Sequence, residues 1–164
     1  MKLQRAMLVL ILCAACSKSS STLTGTGQST QVISATVGGV ATTYTTAGAV
    51  KSNAPYFTDV QGSDAGGQNF VTIELSVYPP VAGTYTCGTN GVGLLISTPT
   101  AAFYSGVNSA ALTQGSQTSC AITVTSYTAA GAPLTGTFSG TLGKANTAGS
   151  TVVVTNGHFQ VTAP

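Results

Sequence analysis

Val71-Thr72-Ile73-Glu74-Leu75-Ser76-Val77 alternates apolar and polar side chains without interruption. Successive side chains of an extended chain point to opposite faces, so Val71, Ile73, Leu75 and Val77 line one face while Thr72, Glu74 and Ser76 line the other. A helix would scatter the same residues around its circumference, so the stretch predicts a half-buried β-strand. Residues 134–142 repeat the device. There Leu134, Phe138 and Leu142 face inward, and Gly136 and Gly140 between them leave room on that face for a neighbouring aromatic ring.

Turn chemistry separates such stretches along the rest of the chain. Gly38-Gly39 stands between residues 32–37 and 40–45, the spacing of a two-residue hairpin loop that needs positive φ. Asp64-Ala65-Gly66-Gly67 divides 56–61 from 69–77, with the Asp64 carboxylate placed to cap backbone amides. Ala129-Ala130-Gly131-Ala132-Pro133 divides 122–127 from 134–142. Asn156-Gly157 is followed by too few residues for a new strand, so it predicts a bulge within one terminal strand. The pattern predicts an all-β antiparallel sandwich of about nine short strands, the alternative being a small closed, lipocalin-like β-barrel.

Composition agrees with a single folded domain. Charged residues are 5% of the 164, against about 25% in ordinary soluble domains, while 43% are hydrophobic. Disorder needs the opposite balance of low hydrophobicity and high net charge. With 17 Ser and 28 Thr, uncharged hydroxyls provide most of the water-facing surface.

The N-terminus reads as an address. Lys2 and Arg5 precede the apolar run Ala6-Met7-Leu8-Val9-Leu10-Ile11-Leu12, and Cys13-Ala14-Ala15-Cys16 ends it with small residues. This is the pattern of a secretory signal over residues 1–15, too short for the ~20 residues of a membrane-spanning helix. Residues 16–30 are Cys16 followed by mostly Ser, Thr and Gly, with Lys18, Gln28 and almost no apolar side chain, a flexible tether to a single all-β domain at 31–164. Removal of residues 1–15 leaves Lys18, Lys51 and Lys144 against Asp59, Asp64 and Glu74. No basic patch remains for phosphate contacts, so no nucleic-acid partner is expected.

Ala14-Ala15-Cys16 resembles the lipobox of bacterial lipoproteins, in which a small residue precedes a Cys that is lipidated and becomes the mature N-terminus. The resemblance makes Cys16 the lipidation site and the membrane a partner through its acyl chains. Ser17, in place of the Asp that retains such proteins at the inner membrane, implies the outer membrane. The tether lacks the acidic cluster of surface-exported lipoproteins, which implies a periplasm-facing domain. The grammar of residues 122–127, 134–142 and 152–159, with Gly83-Thr84-Tyr85-Thr86, is similar to that of a family of small bacterial lipoproteins of unknown function. That resemblance implies an envelope location and an all-β fold, and carries over no catalytic residue.

Cys87 and Cys120 remain after Cys13 and Cys16 are accounted for, and in an oxidising envelope compartment they are expected to pair. Catalytic groups are scarce. His158 is the only His, Asp59, Asp64 and Glu74 the only acids, and no nucleophile elbow occurs, so neither catalytic residues, a cofactor nor a metal site is expected. Asp59, Asp64 and Asn69 lack the spacing of any defined calcium loop. The expected function is non-enzymatic, a structural or protein-interaction role with an envelope protein partner. The alternative is a carrier or binding module for a small apolar ligand or glycan, contacted by Tyr78, Phe103 and Tyr104.

Overall fold

Val71, Ile73 and Leu75 are at most 1% exposed while Glu74 between them is open to solvent, so this stretch is a strand with one face in a core. The computed structural model describes residues 31–52, 57–88, 91–106 and 118–164. The expected signal segment, Cys16 and the tether lie outside the described residues.

Eleven strands are described, and no helix accompanies them among the described residues. They are β1 (Val32–Val37), β2 (Val40–Tyr44), β3 (Thr46–Ser52), β4 (Phe57–Ser63), β5 (Phe70–Leu75), β6 (Gly83–Thr86) and β7 (Gly93–Thr98). The rest are β8 (Ala101–Gly106), β9 (Ser119–Ser126), β10 (Pro133–Lys144) and β11 (Thr151–Thr162). The all-β antiparallel expectation holds. The count exceeds nine partly because the chain does not stop after the second expected strand. It breaks at Thr45 and continues as β3.

That break closes the architecture. All strands belong to one antiparallel sheet whose main path runs β2-β1-β11-β10-β8-β7-β5-β4-β3, with β9 also on β10 and carrying β6. The two ends of the path, β2 and β3, are consecutive pieces of one chain segment: β2 pairs with β1, and β3 pairs with β4. The sheet therefore curls until its ends meet, a nearly closed barrel. Gly62 of β4 shows the approach from inside. A Cβ there would lie 3.0 Å from Ile33 on β1 and 3.0 Å from Tyr44 on β2.

Local chemistry sets the turns and their register. Gly38 and Gly39 have φ of 58° and 86°, the two positive angles that a two-residue hairpin loop requires, and Val37 pairs with Val40 across it. The expected bulge in the last strand is also present. Phe138 pairs with Gly157 but Gly140 pairs with Val154, so Thr155 and Asn156 together oppose Ser139, and Asn156 takes φ 54°.

The long β10–β11 ladder holds the core through reciprocal contacts. Gly136 faces Phe159, and Phe138 faces Gly157, each ring lying over the opposite glycine. A Cβ on Gly136 would fall 2.3 Å from the Phe159 ring, and one on Gly157 would fall 2.6 Å from the Phe138 ring. Gly140 is different: its space is taken by Cys120 and the Ser119 carbonyl, so the aromatic expectation holds at Gly136 alone of the two. Ile33, Val60, Ile73, Ile122, Leu134, Leu142 and Val161 complete the interior at 0% exposure.

Cys87 and Cys120 form a disulfide, with Cα atoms 5.0 Å apart. Tyr85 pairs with Ile122 and Thr86 with Ala121, so the two sulfurs sit at the next opposed position and tie β6 to β9. Cys120 shares the inward parity of Ile122 and Val124, as its place in the sequence predicts.

Two stability outcomes follow from these contacts. Gly136→Ala should lower unfolding free energy by about 1–3 kcal/mol through overpacking, whereas Gly66→Ala, whose added methyl meets nothing closer than 3.8 Å, should stay within about 0.5 kcal/mol. Equal denaturation midpoints for the two would contradict the reciprocal packing. Replacing both Cys87 and Cys120 by Ala opens a link of sequence separation 33 and should cost about 3–4 kcal/mol in the same assay.

Candidate functional site

The inner face of the described strands is core, and on the outer face β3, β4 and β5 carry the most distinctive patch. Register places three cross-strand rows there. Thr46, Ser63 and Phe70 form the first, Gly48, Gln61 and Thr72 the second, and Val50, Asp59 and Glu74 the third. Phe70 and Val50 are 45% and 50% exposed. Gly48, without a side chain, opens the middle row at the β3 side. The result is an open groove of about 380 Å³ running diagonally between Phe70 and Val50 over Gly48, Gln61 and Thr72.

The third row brings two carboxylates together. Asp59 and Glu74 are directly opposed on β4 and β5, and Gly93 of β7 continues the row beyond Glu74. Because Gly93 has no Cβ, the Glu74 carboxylate lies across it; an added Cβ would sit 2.6 Å from Oε2. Burial of its carboxyl raises Asp59 above the ordinary carboxylate range. Burial, and then the charge of Asp59, raise Glu74.

Asp64 is the contrast. It opens the β4–β5 turn, accepts hydrogen bonds from the amides of Gln68 at 2.8 Å and Asn69 at 3.2 Å, and takes a third from the Asn69 side chain at 2.5 Å. The Asn69 side chain first, then the Gln68 and Asn69 amides, hold Asp64 below the ordinary range. This is the capping role expected of it. Asp59 sits five residues back along the strand, about 16 Å at strand rise, so Asp59, Asp64 and Asn69 do not converge.

The three candidate ligand rings do not share a face. Phe103 of β8 opposes Ile96 of β7 and packs half-buried against the core, whereas Tyr104 opposes Leu95 on the outer face. Tyr78 lies after β5, with Lys51 Nζ 4.6 Å from its ring centroid and its hydroxyl 3.4 Å from the Pro164 carbonyl oxygen. His158 is exposed on β11, opposite Ser34 and Thr137. Among the described residues no three of His, Cys, Asp and Glu converge as metal ligands would. Sequence reasoning missed the groove, although its signal was present: Phe70 is an apolar residue out of phase with Val71, Ile73 and Leu75.

The opposed carboxylates make stability depend on pH. Folding makes Asp59 and Glu74 hold protons more tightly, so their full contribution is present at acid pH and declines as pH rises from about 4 through the raised folded values. Asp64 acts oppositely, its contribution being lost as pH falls through its lowered value. Glu74→Gln removes one charge of the opposed pair. It should raise stability at pH 7 by about 0.2–1 kcal/mol, toward the low end because Glu74 is exposed, with the gain vanishing at acid pH. A gain independent of pH would show that charge is not the cause.

No family model matches the chain, and no curated protein or solved structure matches it.

Proposed function

We propose that this chain is a lipid-anchored protein of the bacterial outer membrane whose nearly closed barrel serves as a non-enzymatic interaction module for another envelope protein, facing the periplasm. The observation that carries the reading is the filled interior. Phe138 and Phe159 occupy the space that Gly157 and Gly136 leave, and the surrounding Ile, Leu and Val side chains are at 0–4% exposure. Recognition then falls to the outer surface, where the groove between Val50 and Phe70 lies. Carriage of a small apolar ligand or glycan, the alternative role, would draw on an interior that these side chains take up.

Location rests on the sequence and on one bond. Ala14-Ala15-Cys16 supplies the lipidation pattern and Ser17 the sorting residue. The Cys87–Cys120 disulfide suits an oxidising compartment. Among the described residues the other chemically capable side chains are dispersed around the one opposed carboxylate pair, Asp59 and Glu74: His158 is on β11 and Asp64 is engaged in its turn. That dispersal favours binding over catalysis.

Cys16→Ser should move the protein from the membrane fraction to the soluble fraction of fractionated cells and abolish incorporation of labelled fatty acid. Continued membrane partition of the variant would overturn the anchor.

A further inference from the structure

Two features of the β3–β4–β5 face lie side by side, and together they specify a ligand. The groove offers two exposed apolar walls, Val50 and Phe70, with a middle row made of Gly48, Gln61 and Thr72. One row further along the strands, about 6.7 Å away, Asp59 and Glu74 stand opposed. Neither carboxylate is drawn down by a cation among the described residues; the charge acting on Glu74 is that of Asp59. The two described Lys residues are placed elsewhere: Lys51 has the inward parity of Thr58 and sits over the Tyr78 ring, and Lys144 pairs with Phe103 at the end of β10. Glu74, although exposed as a residue, lies down on Gly93, which holds its carboxylate close to the sheet surface.

A partner group that is apolar alone would leave the opposed carboxylates uncompensated, and a cation alone would leave Val50 and Phe70 in water. A polypeptide segment with an apolar side chain at one position and Lys or Arg two residues on meets both needs, since alternate side chains of an extended chain repeat at the same ~6.7 Å as the rows beneath. We propose that the groove between Val50 and Phe70, with Asp59 and Glu74 at its end, docks an extended segment of a partner protein carrying an apolar residue and, two positions later, a basic one. This deepens the reading of the barrel as an interaction module and rests on it.

The test uses the isotope-labelled full chain in detergent micelles, titrated with the capped peptide Thr-Val-Thr-Lys-Thr-Val and with its counterpart bearing Glu in place of Lys. The expected result is amide shifts confined to β3, β4 and β5 with the Lys peptide, and binding about tenfold weaker or worse with the Glu peptide. Two double variants, Val50→Ser with Phe70→Ser and Asp59→Asn with Glu74→Gln, should each weaken the Lys peptide by a similar factor while keeping a dispersed, folded spectrum. All four residues face outward, so the fold survives their change. Equal binding of the two peptides, shifts elsewhere on the barrel, or no binding overturns the proposal. So does concentration-dependent shifting of Val50 and Phe70 without peptide, which would make a second copy of the chain the occupant. A photo-crosslinkable residue placed at positions 70 and 158 in cells separates the two levels: an envelope partner captured from 158 alone refutes this groove and leaves the interaction module standing.

Discussion

The contact on which the barrel depends is the exchange of rings and glycines between β10 and β11. Phe159 lies over Gly136 and Phe138 over Gly157, so two large rings fit on one narrow inward face without pushing the strands apart. A side chain at either glycine would meet ring and backbone together: the Thr123 carbonyl oxygen is as near to a Gly136 Cβ as the Phe159 ring is. The ladder that carries these pairs is also the longest, and β1, β9 and β8 all attach to it. The bulge at Thr155-Asn156 and the position of Gly140 against Cys120 belong to the same two strands.

A protein with so few charges must keep water on its outside by other means. Hydroxyls do this here, and neighbouring strands pair them: Thr84 with Thr123 at 3.0 Å and Thr125 with Thr135 at 2.9 Å. Against that neutral coat, the opposed Asp59 and Glu74 stand out as an energetic cost that the fold retains, since like charges across a strand pair are unfavourable. In the proposed docking of a basic segment, their position beside exposed Val50 and Phe70 gives that cost a use in recognition.

Much of the fold was legible because period-two alternation and turn residues are local signals. Residues 71–77, the Gly38-Gly39 hairpin, the Asp64 cap and the Asn156-Gly157 bulge each depend on neighbours a few positions away. Sheet closure was not legible, because the break at Thr45 is decided by which strand the chain next pairs with, and nothing in Tyr44-Thr45-Thr46 names that partner. The candidate site lies between these cases. Asp59 and Glu74 are equally distant from the Gly66-Gly67 turn, so a hairpin centred there sets them opposite each other, whereas the groove requires the register of three strands at once. The aromatic candidates illustrate the remaining difficulty: Phe103 and Tyr104 are adjacent in sequence, and strand geometry for that very reason sends them to opposite faces.

The central claim is that the barrel interior is filled by its own side chains and that binding happens outside. Native mass spectrometry of the chain purified from the cells that make it, compared with the same sample denatured without reductant, tests it most directly. Equal masses, once detergent is removed, are the predicted result. A small molecule that accompanies the native protein and leaves on denaturation would contradict the account and make the barrel a carrier.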